Sequence, residues 1–324
     1  MTRPPSPPAQ GVRLEWLAVP ESIRRALEQW AGSTVISADS QRTGFSPGVA
    51  ARLRLADGRR LFFKAVGPEP NAESAGMHRR EARIVSALPN NAPVPRLRWS
   101  FDAGEQGWVV LVFDEVHGRH PAEPWRTDEL DRVLDGLGQL AEMLTPSPRA
   151  AGEVSSAAEA LSTDICGWQR LRNDQSSELE RLDAWSRRHL ERLADLEALA
   201  PAAVTGDTLL HFDVRADNLL LAPEHVWFFD WPHARTGAAW LDVVGFAPSV
   251  TMQGGPPPEE VIAHYAACRS ADPQAVTAAV AAIAGYFTRQ SLQPPPPGLP
   301  TVRAFQAAQG VVARDWLALR TGWG

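Results

Sequence analysis

Thr208-Leu-Leu-His211-Phe-Asp213-Val-Arg215-Ala-Asp217-Asn218-Leu-Leu-Leu-Ala-Pro-Glu-His-Val-Trp-Phe-Phe-Asp230-Trp231 is the stretch on which the reading of this chain turns. It holds two apolar strands, each abutting polar residues of kinds that do chemistry. An ordinary hairpin gives a similar pattern, its Asp and Asn side chains only tying up turn backbone. Spacing, and residues far upstream, decide between the two. Lys64 ends an apolar strand, and Glu81 lies 17 residues later in an expected helix. A lone surface Lys or Glu is usually just a solvated charge. The ordered set Lys64, Glu81, Asp213, Asn218, Asp230 on matching elements is far more specific.

His211-x-Asp213-x-x-x-x-Asn218 has the spacing of a kinase catalytic loop, where the aspartate accepts or orients the acceptor hydroxyl and the asparagine helps hold magnesium. Asp230 follows the second strand, where the other magnesium-binding carboxylate is expected. Lys64 and Glu81 have the arrangement of a phosphate-binding lysine fixed by a helical carboxylate. Phosphoryl transfer needs these types because metal must neutralise the phosphate charge while the hydroxyl is aimed in line.

Outward from these residues, Ala51–Leu55 and Leu61–Val66 flank Asp57-Gly58 and read as a β-hairpin. Gly76–Leu88 has helical spacing before Pro89, and Trp108–Phe113 is a continuously apolar buried strand. After Gly118 helices dominate. Leu130, Val133, Leu134, Leu137, Leu140 and Leu144 share one helical face, with Asp128 and Glu129 at its start. Ser177 and Glu180 have capping-box spacing ahead of a second amphipathic helix, and further helices are expected from Pro258, Pro273 and Pro300. The divisions expected are a disordered lead-in over 1–15, a nucleotide-binding lobe over 16–116, and a helical lobe over 117–324 that carries the catalytic loop and acceptor pocket.

The 324 residues, at roughly 150 per domain, suit two domains or one large one. A hydrophobic share of 44% and a charged share of 22% exclude wholesale disorder and a coiled coil. Net charge of -6 argues against binding nucleic acid through phosphate contacts. Cys166 and Cys268, with no Cys-x-x-Cys pair, suit buried thiols in a reducing cytoplasm. The proline-rich start lacks a secretory apolar run. Ala275–Phe287, at 13 residues, is shorter than the roughly 20 a membrane span needs and reads as a packed helix. His117-x-x-His120 lacks a third ligand and is read as hinge or surface histidines rather than a metal pair.

Taken with these motifs, the chain from about Gly44 to Asp242 resembles the aminoglycoside phosphotransferase family, small-molecule kinases with a two-lobed protein-kinase-like fold. The resemblance implies an α+β architecture with a small antiparallel-sheet N-lobe and a mainly helical C-lobe. It implies that Asp213 is the catalytic base or hydroxyl-orienting residue, that Asn218 and Asp230 ligate Mg2+, that Lys64 meets the phosphates of ATP or GTP, and that Glu81 positions Lys64. His211 would scaffold the loop and Asp242 brace it. Backbone groups around Asp114 to Val116 would hydrogen-bond the purine. Gly44-Phe-Ser46-Pro47-Gly48 resembles the nucleotide-covering turn, with Ser46 at the nucleotide, but lacks Gly-x-Gly-x-x-Gly, and Pro47 removes a donor. Asp230-Trp-Pro departs from the Asp-Trp-Glu often seen in the family.

The expected activity is transfer of a γ-phosphoryl group to a hydroxyl of an aminoglycoside or amino-sugar-like acceptor, by a cytoplasmic monomer or homodimer with neither nucleic acid nor membrane as partner. Another metabolite alcohol or antibiotic is the alternative acceptor, and a nucleotide-binding pseudokinase the alternative from another class. No Ala-Pro-Glu segment follows Asp230, which argues against a protein kinase. A cationic acceptor predicts that carboxylates of the helical lobe line its pocket; the helix faces there carry Asp128, Glu129, Asp131, Glu178, Glu180, Asp183, Glu259 and Glu260, charges of the kind that usually face solvent.

Overall fold

The computed structural model describes residues 6–42, 44–45, 47–69, 72–104, 107–151, 154–173 and 178–324. Its N-terminal part is a six-stranded sheet. The strands are β1 (Arg13–Leu14), β2 (Val35–Ser40), β3 (Gly48–Leu55), β4 (Arg60–Val66), β5 (Leu97–Asp102) and β6 (Val109–Asp114). Their order is β1-β3-β4-β6-β5, with β2 also on β3. All pairs are antiparallel except β1 with β3. The β3–β4 hairpin has the expected register, Leu53 opposite Leu61 and Ala50 opposite Lys64. At the head of β3 the chain turns at Gly48 with φ +105°, where a Cβ would lie 2.4 Å from the Ala65 carbonyl oxygen. Only glycine fits there.

Helix α1 (Glu21–Ala31) buries Ile23, Leu27 and Ala31, one face at four-residue spacing, against the sheet's apolar cluster. Helix α2 (Ala72–Ala87) carries Glu81 beneath β4. The sequence pattern marks residues 1–15 as a disordered lead-in. Residues 1–5 lie outside the described residues, but 6–15 do not behave that way: Gln10 bridges Gly44, and β1 pairs Arg13 with Gly48 and Leu14 with Val49. The reason is a ready partner, the open edge of β3 beyond β2.

The larger part is helical. Its elements are α3 (Thr127–Met143), α4 (Ala157–Thr163), α5 (Gly167–Asn173), α6 (Ala184–Glu197) and α7 (Ala200–Ala203), then α8 (Leu241–Met252), α9 (Pro258–Ala263), α10 (Ala266–Ser270), α11 (Pro273–Leu292) and α12 (Val302–Thr321). Between α7 and α8 run four short strands, β7 (Thr208–Leu210), β8 (Leu219–Leu221), β9 (Val226–Phe228) and β10 (Arg235–Gly237), paired β7 with β10 and β8 with β9. The expected capping pair does not start α6: Ser177 lies outside the described residues, and Glu180 sits in a separate single turn. Asp183 caps α6 instead, accepting from the Ser186 N–H at 2.9 Å. Residues 275–287 fall within α11, whose alanine face packs in the helical core. No helix among the described residues is long and apolar enough to cross a membrane.

Where α5, α6 and α11 meet, Glu197 is fully buried and accepts from the Trp168 and Gln169 N–H groups at 3.2 and 2.8 Å. Burial pushes its carboxyl up to about 7, against the pull of those donors. Between the unfolded carboxyl's ordinary value and about 7, the folded protein therefore holds a proton that the unfolded chain has released. Stability from this group is present at low pH and is lost as pH rises through that window. We expect Glu197→Gln to flatten the fall in Tm between pH 5 and 7.5 relative to wild type. Equal slopes in the two proteins would show that Glu197 does not titrate there.

Candidate active site

The loop after β7 is built by side chains that grip its backbone. Asp242, near the start of α8, accepts from the His211 and Phe212 N–H groups, both at 2.8 Å. His211 is fully buried; its Nε2–H donates to the Phe229 carbonyl at 3.0 Å, and its Nδ1 accepts from the Asp213 N–H at 3.3 Å. These bonds hold Phe212 at φ 64°, a left-handed conformation unfavourable for a bulky residue. Asp230, at φ 70°, is the other non-glycine residue so held among those described. Both left-handed turns aim neighbouring carboxylates into one cleft.

Asp213 presents its carboxylate between Arg215 and Asn218. Arg215 Nη1 donates to its two oxygens at 2.8 and 2.9 Å, and the other side of the same guanidinium grips Asp217 at 3.0 Å. Arg215 therefore aims Asp213 as well as bracing the loop through Asp217. Asn218 Nδ2 donates to the Asp213 carbonyl at 2.9 Å and carboxylate at 3.1 Å. The amide nitrogen is thereby committed, which leaves Asn218 Oδ1 as the group able to coordinate.

Across the cleft, Lys64 Nζ donates to Glu81 Oε2 at 2.6 Å and to Asp230 Oδ1 at 2.8 Å. The three groups are buried or nearly so. Burial pushes the Asp230 carboxyl up, but Lys64 outweighs it and holds this group well below the usual carboxylate range. Burial pushes Glu81 up, with Lys64 opposing. Burial also works against the Lys64 charge, yet the two carboxylates raise its pKa on balance. Hard oxygen donors from Asp230 and Asn218 are the kind magnesium takes. Because Lys64 and Glu81 act as one unit, Lys64→Met and Glu81→Ala should lower kcat non-additively, with a coupling of about 0.5–3 kcal/mol. A double-mutant cycle checks this; fully additive losses in ln kcat would mean that the pair is not coupled.

Two cavities share Glu81 and Asp230 as walls. The inner one is lined by Lys64, Asn218, Asp114 and Val116 together with Ala50 and Phe113, so the residues expected at a nucleotide do converge. The Asp114 N–H is already given to the Arg96 carbonyl at 3.0 Å, which leaves its carbonyl side for other contacts. Ser46 lies outside the described residues. Arg13, inside the expected lead-in, also lines this cavity. His120 Nδ1 donates to the Leu219 carbonyl at 2.9 Å, a structural contact that ties the interlobe segment to β8.

The outer cavity, about 610 Å³, exposes Asp213 and Arg215. Carboxylates of the helical part do line it, Asp164, Asp213, Asp230 and Asp242, but none of the eight acidic residues of the helix faces is among them. Three of the eight are used elsewhere: Glu129 takes Arg119 at 2.6 Å and the Ala122 N–H at 2.7 Å, Asp183 takes Arg314 at 3.0 Å, and Glu259 takes Trp316 Nε1 at 2.7 Å. The cavity is also walled by aromatic residues, among them Phe45, Phe212, Tyr286 and Phe305, and by Arg170, Arg235 and Arg303. Phe45 stacks edge-on to Phe305 at 5.2 Å, bolting the turn before β3 to α12. His78 also faces this cavity; burial, with Lys64 nearby, pushes it down to about 3, and its ring N–H donates to the Ser74 carbonyl at 3.0 Å.

The model for the phosphotransferase enzyme family matches residues 43–279. No curated protein matches the chain by sequence. Among solved structures, the GDP and kanamycin complex of APH(2″)-IIia is 16% identical over 91% of this chain and 96% of that one, with a TM-score of 0.59. A thermostable mutant of aminoglycoside phosphotransferase APH(4)-Ia, in ternary complex with AMP-PNP and hygromycin B, is 15% identical over 93% and 99%, with a TM-score of 0.60. A putative fructosamine-3-kinase from Thermobifida fusca YX-ER1 is 20% identical over 90% and 99%, with a TM-score of 0.55. These likenesses show the protein-kinase-like fold.

Proposed function

The chain belongs to the phosphotransferase enzyme family and is a kinase-type enzyme acting on hydroxyl groups, and from that premise we propose that it moves the γ-phosphoryl of ATP or GTP onto a small molecule bound in the outer cavity. The observation that carries this reading is the meeting of Lys64, from the N-terminal sheet, with Asp230, from the loop after β9, at 2.8 Å. Asp213 opens onto the neighbouring cavity. Phosphate charge and acceptor hydroxyl would thus be handled on two sides of one wall.

In this mechanism the ammonium of Lys64, held by Glu81, binds the nucleotide phosphates. Asn218 and Asp230 would hold Mg2+, which when bound supplies charge neutralisation on those phosphates. Asp213 accepts a hydrogen bond from the acceptor hydroxyl, orients it for in-line attack and takes its proton. Arg215 and Asn218 fix the direction of that carboxylate. Backbone groups between Asp114 and Val116 bind the purine. Neighbours solved with GDP or AMP-PNP support a purine nucleotide without choosing between adenine and guanine. The buried, unpaired Cys166 and Cys268 agree with a cytoplasmic enzyme.

An amino-sugar acceptor draws support from the neighbours captured with kanamycin and hygromycin B. The arginines of the outer cavity favour a different acceptor charge. A nucleotide-consumption screen with magnesium against aminoglycosides, amino sugars and hydroxylated metabolites tests the reading. Consumption stimulated by an acceptor and lost in Asp213→Asn is the expected result; acceptor-independent binding without turnover across the panel would favour a pseudokinase.

A further inference from the structure

Resting on the kinase reading above, we propose that the acceptor is a hydroxylated anion, whose carboxylate or phosphate is held by the arginines of the outer cavity while its hydroxyl reaches Asp213. Besides Asp164, the cavity's carboxylates are Glu73 on the N-terminal side and Glu81, Asp213, Asp230 and Asp242 around the catalytic loop. Glu81 and Asp230 are already matched by Lys64, Asp213 by Arg215, and Asp242 by two backbone N–H groups. On the wall formed by the helical part, what remains is Arg170, Arg235 and Arg303 against the single carboxylate of Asp164. None of these three arginines forms an ion pair among the described residues.

Each of them is held in place by neutral groups. Arg303, on α12, donates to Gln290 Oε1 and Gln306 Oε1, both at 2.8 Å, and to the Pro294 carbonyl at 3.0 Å. Gln290 comes from α11, so the two helices share the work of presenting this one guanidinium. Arg235, on β10, donates to the Ala234 carbonyl at 2.9 Å, and its Nε is buried with no hydrogen-bond partner. Its planar face lies 5.9 Å from the Phe212 ring, next to Asp213. Burial and the nearby Arg80 both work against the Arg235 charge, and Asp164 and Glu159 offset them only in part. Arg170 gives a hydrogen bond to the Thr163 carbonyl.

Arg170 is exposed, but holding the half-buried guanidinium groups of Arg235 and Arg303 at the wall without a paired carboxylate is costly, and the cost is recovered when a ligand anion completes them. The fork of Arg303 still has a nitrogen to offer, and the planar guanidinium suits the two oxygens of a carboxylate or phosphate. An ammonium-bearing acceptor would face like charges on the same wall. Ile283, Tyr286 and Phe287 line the cavity from α11 and give the acceptor an apolar or aromatic body to rest on.

The test is calorimetric binding of matched probes to wild type, Arg303→Gln and Arg235→Gln: para-hydroxymethyl benzoate, its primary amide, the corresponding benzylamine, and para-hydroxymethyl phenyl phosphate. Binding needs no turnover, so its result stands apart from a parallel nucleotide-consumption assay, which reports on the kinase reading alone. The benzoate or the phosphate should bind about ten- to a hundredfold more tightly than the amide, the effect of a charge-assisted hydrogen bond. The benzylamine should bind most weakly. That preference should shrink toward unity in Arg303→Gln or Arg235→Gln, with amide affinity little changed, and the two anionic arms distinguish carboxylate from phosphate. An amine that binds as tightly as the anions, or an anion preference intact in both arginine variants, would overturn the proposal.

Discussion

Asp213→Asn should lower kcat by about 10² to 10⁴ while leaving nucleotide affinity within a few-fold of wild type, since a positioned general base typically contributes that much. The expectation follows from where Asp213 sits. Its carboxylate opens onto the outer cavity and makes its contacts with Arg215 and Asn218, whereas Lys64, Asn218, Asp114 and Val116 line the inner cavity. Asparagine keeps the shape and can still bond Asn218, but its amide cannot take a proton. Removing the carboxylate also leaves Arg215 with Asp217 as its remaining ion-pair partner, so the guanidinium stays compensated and the loop should keep its shape. Steady-state kinetics on an identified acceptor, alongside nucleotide titration, separate the two effects. Wild-type kcat in this variant would remove Asp213 from the chemistry.

A comparably large loss is expected at Asp230. Magnesium should tighten nucleotide binding to the wild type, and Asp230→Asn should abolish most of that gain, by at least about tenfold, since even residues that only support a ligand typically cost 10–100-fold in metal affinity. Asparagine is a cleaner change here than alanine: residue 230 has φ 70°, a conformation that Asn tolerates and Ala does not favour. The variant keeps Lys64 paired with Glu81 at 2.6 Å, so a buried uncompensated lysine does not confound the result. Asn218→Ala should weaken magnesium-dependent binding less, because an amide oxygen holds a hard cation less strongly than a carboxylate. Calorimetry of nucleotide with and without magnesium checks both; equal affinity in wild type and Asp230→Asn with magnesium present would count against this metal site.

The residues that could be picked out from sequence were those whose order along the chain carries their geometry. Lys64, Glu81 and Asp230 meet within hydrogen-bonding distance because a strand, the helix after it and the distant loop after β9 each deliver one side chain, and their spacing reflects those elements. Asp242 reaches back to His211 from the first turn of a helix, the bracing contact that the family resemblance implied. Arg13, Arg235 and Arg303 were not legible as members of a cleft. Arg13 reaches it through a two-residue parallel pairing with β3, and Arg303 through a helix that packs back on α11 almost at the end of the chain. No local pattern encodes either route.

The acidic residues misled for a related reason. A run such as Asp128, Glu129 and Asp131 announces a helix N-terminus, but which face turns toward a cavity is set by packing. Glu129 is in fact buried, against Arg119. Capping signals failed more locally. Asp183, Ser186 and the burial of Leu182 place the start of α6 after Leu182, several residues beyond the Ser177–Glu180 pattern that the sequence also offers.

Transfer of a phosphoryl group to a small-molecule hydroxyl through Asp213 is tested most directly by following the phosphorus itself. The protein is incubated with γ-labelled ATP or GTP, magnesium and a pooled panel of hydroxylated acids, phosphate esters, amino sugars and aminoglycosides, and the products are resolved. The label should move into a new phosphate monoester with wild type, and that product should nearly vanish with Asp213→Asn. Label found only in inorganic phosphate, or in the same monoester at equal rates from both proteins, would contradict it.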